Sequence, residues 1–401
     1  RTSVITSSHR TFAVTEKIGP GNDIADSAVV AEALGVSAHQ VVAFDMNVLA
    51  VRHGSVISAA LFGALAATGK LPFAHQDFLD VIEKSGKGAE ASAQTFDAAY
   101  RQVMQGPEAK SLYRQQPKVP HVGPVVTILD GELVQCLPEP SHEMARTGLI
   151  KVLDFQGLAY GRKYLRRLAE IAALDCELGG ETKGYELTRT AAKHLANAMA
   201  YDDVIRVADL KTRSARRARV EREAEVASNQ ILHTTEYMHP RGEELVGLLP
   251  AGFARWVHDK PGIYSWINRR VSKGRRIKTY SIISFLALFM LGGMRGVRLR
   301  SLRHAQEWQH ITHWLDCALG AARSDYALAI QILRMRRLVK GYSDTHARSQ
   351  SKFDKALRAT GLLAGRDGAA DWAKRLTEAA LRDPDGESLD GLIKTMESVF
   401  T

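Results

Sequence analysis

A chain of 401 residues with 45% apolar content is long enough for two or three domains, and its core-forming residues exclude a disordered protein. Lys and Arg outnumber Asp and Glu by 54 to 44, which admits a polyanion, an acidic partner subunit or a phosphate-bearing ligand and does not choose among them. Cys136, Cys176 and Cys317 lie too far apart for a CxxC-type zinc or iron–sulfur framework. No disulfide scaffold is expected, and they read as buried, inert thiols in a reducing cytoplasm.

The chain opens on Arg-Thr-Ser-Val-Ile without an initiator Met or a signal-peptide pattern, as a strand already under way, so a preceding segment is expected. Residues 3–7 (SVITS) and 41–45 (VVAFD) are β-branched-rich runs, with helical stretches around Asp26–Ala33 and Ser55–Ala67. This alternation predicts an α/β sheet covered by helices. His9 and Arg10 follow the first strand and Asp45 ends the second, at the carboxyl ends where open α/β sheets bind ligands. The plainer alternatives are a solvated loop for His9-Arg10 and a helix cap for Asp45. Gly19-Pro20-Gly21 reads as a turn.

Asp77–Ile82 and Ala89–Met104 are predicted helices, the second with Phe96, Tyr100 and Val103 on one face. The proline-rich span Gln116–Pro140 resists placement in a regular element, so the boundary is placed there. The resulting division is an α/β part at 1–115, a linker at 116–150 and an all-helical domain at 151–401.

Within the helical domain, helices are predicted at Leu153–Ile171, Thr188–Ala227, Glu243–Leu249, Lys278–Met294, Ser301–Ala321, Tyr326–Arg337 and Ser349–Ala359. The apolar run Ser281–Met294 is shorter than the roughly 20 residues needed to cross a bilayer and reads as a buried core helix. Basic clusters at Arg213–Arg222, Arg269–Lys278 and Arg295–Arg303 are either solvated faces or an anion-binding or docking surface. In YDDVIRVADLKTR, Asp202, Arg206 and Asp209 fall at i, i+4 and i+7 with Lys211 close behind. That ladder serves either to set an interface register or to stabilise a helix. His239 and Arg241 precede Glu243-Glu244, a turn entering a helix with acids in its first turn; the alternative is a His–Glu or Arg–Glu catalytic pair.

No dinucleotide-binding glycine motif follows a strand, and no P-loop, H-E-x-x-H, EF-hand or nucleophile elbow occurs. No metal site and no catalytic residue is assigned from the sequence.

The stretches SSHRTFAVTEKIGPGNDIADS, FDMNVLA and GSVISAALFGALAATGKLPF resemble the latter half of the gamma-type domain of 2-oxoacid oxidoreductases, in the version carried by the beta subunit of indolepyruvate oxidoreductases. AYDDVIRVADLKTR, EYMHPRGEEL and SIISFLALFMLGGMRGVRLRSLRHAQEW resemble the helical domain attached to it, so the likeness covers nearly the whole chain. The family's opening Gly-Gly-Gln-Gly turn is absent here.

The resemblance implies a partial doubly wound α/β gamma-type domain followed by a large helical domain. It further implies a non-thiamine-binding subunit that completes the active site and docks a larger alpha subunit for oxidative decarboxylation of an aryl-2-oxoacid with coenzyme A. Thiamine diphosphate, Mg²⁺ and iron–sulfur clusters would belong to the partner, electrons would pass to a ferredoxin-like acceptor, and no cofactor would sit in this chain. On this reading His9, Arg10, Asp45, Asp202, Arg206, Asp209, Lys211, His239 and Arg241 are candidates for contact with substrate, coenzyme A or the partner, and no membrane contact is expected.

Two other classes compete. A basic helical nucleic-acid-binding protein is favoured by the +10 charge but lacks interleaved aromatics or a helix-turn-helix pattern. A scaffolding module without catalysis would occur without a partner.

Overall fold

The computed structural model describes residues 2–10, 27–106, 124–223, 231–238, 241–271, 275–340, 343–382 and 385–400. The chain is mostly helical and divides into two compact units, Arg1–Val119 and Pro120–Thr401.

In the first unit, β1 (Ser3–Ser7) and β2 (Gln40–Phe44) pair in parallel, with Ser3 opposite Gln40 and Ser7 opposite Phe44. Helix α1 (Ser27–Ser37) connects them, as a parallel crossover requires. α2 (Met46–Arg52), α3 (Ile57–Ala67), α4 (His75–Glu83) and α5 (Ala89–Met104) follow. Met46, Leu49, Ala60, Ala64 and Ala99 form one small core and Phe78, Ile82 and Phe96 another. Gly63 lets α3 and α5 approach closely, because a methyl there would meet the Phe96 carbonyl oxygen at 2.2 Å. Among the described residues this sheet has two strands, so the expected doubly wound sheet is not evident. Both strands are only partly buried, whereas parallel strands ordinarily have both faces covered.

The second unit is helical: α6 (Pro124–Cys136), α7 (His142–Gln156), α8 (Leu158–Glu177), α9 (Glu186–Met199), α10 (Val204–Thr212) and α11 (Ser214–Glu223) come first. β3 (Thr235–Met238), α12 (Gly242–Gly247), α13 (Ala251–His258), α14 (Pro261–Val271), β4 (Arg275–Lys278) and α15 (Ile282–Gly293) form its middle part. A 3-10 stretch at Met294–Arg300 leads into α16 (Leu302–Ala322), α17 (Tyr326–Met335), α18 (Ser343–Ala359), α19 (Ala369–Arg382) and α20 (Glu387–Phe400). The antiparallel pair β3–β4 was not legible in the sequence; Lys278, expected to start a helix, ends its second strand.

The linker expected at 116–150 is corrected. Its first part, 116–123, lies outside the described residues, but 124–136 is helix and contributes Leu129 and Leu133 to the main core. Pro124 is tolerated because it is the first helical residue, where no intrahelical N–H bond is lost. The single helix expected over Leu153–Ile171 is two, parted at Gly157 with φ 101°, a conformation costly for any residue with a Cβ. The run expected over Thr188–Ala227 breaks at 200–203 and at Arg213, and 224–227 lies outside the described residues.

The main core takes in Leu149, Leu168, Leu195, Trp314, Leu333, Phe353, Leu376 and Met396, all but shut off from water. Each such side chain contributes about 2 kcal/mol of transfer free energy. Its polar atoms are paired: Tyr164 Oη donates to Ala192 O at 2.8 Å and Trp314 Nε1 to Ile332 O at 2.8 Å. Asp175, fully buried, accepts from the Thr188 N–H and hydroxyl and from Tyr326 Oη, tying α8, α9 and α17 together.

Two expectations about burial are overturned. Cys136 and Cys176 are exposed and Cys317 is half-buried, since each falls on the outward side of its helix. α15 is not a core helix. Leu288 is its one buried side chain, while Ile282, Ile283, Leu286, Phe289 and Met290 are each more than half exposed. With the stretch that follows, Ile282–Arg300 is long and apolar enough to cross a membrane.

Candidate functional site

In the second unit a cleft of about 110 Å³ opens where the start of α10, α12, α16 and α18 meet. Its charged lining includes Asp202, Arg241, Glu243, Glu244 and Arg303, with His346 on its wall. Asp203 begins α10 by accepting the Arg206 N–H at 2.6 Å, an N-cap that places Asp202 just outside the helix. Glu244 accepts the Arg241 N–H at 3.0 Å, and with Glu243 it puts two carboxylates in the first turn of α12, as that helix dipole favours.

The cleft is backed by two buried ion-pair systems. Arg298, 1% exposed, donates to both Asp203 oxygens at 2.8 and 3.2 Å and to Phe155 O and Gln156 Oε1, with Phe155 beneath its guanidinium at 4.2 Å. Glu307, 3% exposed, meets Arg303 at 2.7 Å, Arg336 at 3.4 Å and His346 Nε2 at 3.0 Å, the last off hydrogen-bond alignment. Burial alone would push the Glu307 carboxyl up, but His346, Arg303 and Arg336 outweigh it and hold it down at about 2. Arg336 reaches on to His310 Nδ1 at 2.7 Å, and His310 Nε2 lies 2.7 Å from Asp354. His304 pairs with Tyr201 Oη at 3.1 Å, and burial, helped by Lys163 and Arg298, lowers its pKa to about 4.

Of the residues singled out in the sequence, Asp202 and Arg241 line the cleft. Arg206 and Asp209 instead join Asp154 and Arg213 in a lattice on the unit's own surface. Arg206 meets Asp154 at 2.6 Å and Asp209 at 3.4 Å, and Arg213 meets Asp209 at 2.5 Å and Asp154 at 2.9 Å. The expected ladder therefore runs from Arg206 onward, because the helix starts at Val204 and leaves Asp202 off its face. Lys211 and Arg216 both pair with Glu236 on β3; burial would raise that carboxyl, but the two cations hold it below the usual range. His239 lies outside the described residues.

In the first unit the paired strands bring the remaining candidates to one end of the sheet. His9 Nδ1 is 3.7 Å from Asp45 Oδ1, and Asp45 also accepts the Asn47 and Val48 N–H groups, so the carboxylate both caps α2 and faces the imidazole. Ser7 Oγ accepts the His9 and Met46 N–H groups and stitches the two strand ends. Arg10 follows immediately and is itself engaged in an interaction.

Sequence reasoning placed Asp203 within reach of Arg206 three residues on, but missed its pairing with Arg298, and it missed Arg298, Glu307, Arg336 and His346 altogether. The pair Arg303–Glu307 shows the i, i+4 spacing, but nothing local marks it as buried, and Arg298 is indistinguishable from the exposed arginines around it. Among the described residues no group of three or more His, Cys, Asp or Glu side chains is arranged to hold a metal ion.

No curated protein and no solved structure matches the chain. The profile of a family of unknown function, DUF6537, matches residues 141–359. That span holds every residue of the cleft and of the ion-pair systems behind it and exceeds half of the 401 residues, so the chain belongs to the family DUF6537.

Proposed function

We propose that this chain is the non-thiamine-binding subunit of a cytoplasmic, indolepyruvate-type 2-oxoacid oxidoreductase. The observation that carries the reading is the meeting of His9 and Asp45 at the carboxyl ends of two parallel strands, where open α/β sheets hold ligands. The partly buried strands also suit a larger sheet in which β1 and β2 are two members of a doubly wound gamma-type domain. The ordered sequence likeness along the chain supplies the reaction class.

On this reading the larger partner holds thiamine diphosphate and Mg²⁺, which supply the electron sink for decarboxylation, and passes electrons through iron–sulfur clusters to a ferredoxin-like acceptor. This chain's own part is to close the cavity and to bind anionic groups. His9 presents its imidazole and Arg10 its guanidinium to the 2-oxoacid carboxylate or the coenzyme A phosphates, while Asp45 orients His9. The cleft of the helical unit is a secondary polar surface.

The test is co-expression with the thiamine diphosphate-binding chain, followed by assay of indolepyruvate- and coenzyme A-dependent reduction of a viologen dye. The reading expects activity only when both chains are present, and a rise of about tenfold or more in KM for 2-oxoacid or coenzyme A in Arg10→Ala and His9→Ala. Full activity of the partner alone, or wild-type KM values in both variants, would overturn it.

A further inference from the structure

Helix α15 is apolar around its whole circumference and carries no charged residue from Ile282 to Gly293. One side packs on α10, closely enough that a methyl at Gly292 would meet the Asp209 backbone at 3.0 Å. The opposite side presents Ile282, Ile283, Leu286, Phe289 and Met290, which follow the i, i+1, i+4, i+7, i+8 spacing of a single helical face. A helix apolar on all sides is stable in water only when something covers it, and so large an exposed apolar face marks a contact surface.

Charge at the ends of the face narrows what covers it. Arg275, Arg276 and Lys278 on β4 precede the helix, and Arg295 and Arg300 follow it, at opposite ends of a rod of about 18 Å at 1.5 Å per residue. Across 251–300 the chain has 11 Lys and Arg against a single acidic residue, Asp259. A second copy laid on this face would set arginines against arginines in either the parallel or the antiparallel orientation, because both ends are basic. A membrane-surface helix carries charge along a polar face of its own, whereas α15 has no charged face and its inner side is packed on α10. Nor is the run free to span a bilayer, since Arg298 near its end is buried against Asp203.

We propose that the outer face of α15 docks a protein partner presenting an apolar patch bordered at both ends by carboxylates. Resting on the subunit reading above, we identify that partner with the thiamine diphosphate-binding chain. Leu286 and Phe289 are the central anchors, and the flanking arginines steer approach and fix orientation.

The experiment mixes the purified full chain with the purified thiamine diphosphate-binding chain and reads affinity by calorimetry and amide hydrogen exchange across 282–300. The variants are L286E/F289E and R275E/R276E, each checked for wild-type helicity by far-UV circular dichroism. The proposal expects 282–300 to be protected only in the complex, affinity to fall about 100-fold or more in L286E/F289E, and association to slow about tenfold in R275E/R276E with a weaker dependence on salt. A complex that forms while 282–300 stays unprotected and L286E/F289E binds as wild type overturns the docking face and leaves the subunit reading standing. Absence of any complex overturns both. Two parallel measurements on the isolated chain also overturn it: a homodimer abolished by L286E/F289E, or flotation with phosphatidylserine vesicles lost in the same variant.

Discussion

Replacing Glu307 by Gln removes the one carboxylate that Arg303, Arg336 and His346 share, in a site from which water is excluded. Its folded pKa of about 2 lies below the reference 4.5, and at 1.36 kcal/mol per unit the ionised form contributes about 3 kcal/mol at neutral pH. That agrees with the 3–5 kcal/mol expected, to order of magnitude (~), for breaking a buried ion pair by deleting one partner. Because the folded pKa is depressed, the contribution is complete above about pH 4.5 and drains away as pH falls toward 2, leaving roughly 1.4 kcal/mol at pH 3. All five tryptophans lie in the helical unit, so urea unfolding followed by their fluorescence reports on this unit alone. The wild type should exceed Glu307→Gln by about 3 kcal/mol at pH 7, and by about half that at pH 3 with sucrose added to hold the fold. A loss below about 1 kcal/mol at pH 7, or a gap that does not narrow in acid, would refute the assignment of Glu307 as the charged centre of this network.

Two further outcomes are expected. His194 and His304 are both held neutral, their pKa values lowered from 6.5 to about 4, chiefly by burial, so the unfolded chain takes up protons first as pH falls through 6.5. By linkage each should cost the fold about 2 kcal/mol between pH 7.5 and pH 5, a slope that His304→Gln should roughly halve in urea titrations at the two pH values. Arg298→Leu should cost about 3–5 kcal/mol by stranding Asp203 in the interior, and adding Asp203→Asn should recover a sizeable part of it. A strictly additive double variant in the thermal melts would show that the two residues do not act as a pair.

What the sequence made legible was local. SVITS and QVVAF become paired strands because β-branched residues crowd there, one residue short of the expected end at Asp45, which caps the helix behind it as its position suggested. Arg206 and Asp209 find each other because they are neighbours on one helix. What was hidden depends on residues far apart in the chain. Asp203 and Arg298 are 95 positions apart, and Arg298 looks like any member of a basic run until the fold buries it. The reverse holds for α15, whose composition says core while the unit leaves one side open, since apolar content records that a surface is covered without recording by what.

The family match begins at Ser141 and ends at Ala359, but the hydrophobic core respects neither limit. Leu129 and Leu133 enter it from α6, and Leu376, Leu389 and Met396 enter it from α19 and α20. A chain cut at the borders of the match would lay bare the apolar flanks of α7, α17 and α18, against which α6, α19 and α20 pack. The shared stretch is therefore shorter than the piece that must fold cooperatively, and any relative that keeps only the shared stretch has to close that core with helices of its own, or with those of a neighbour.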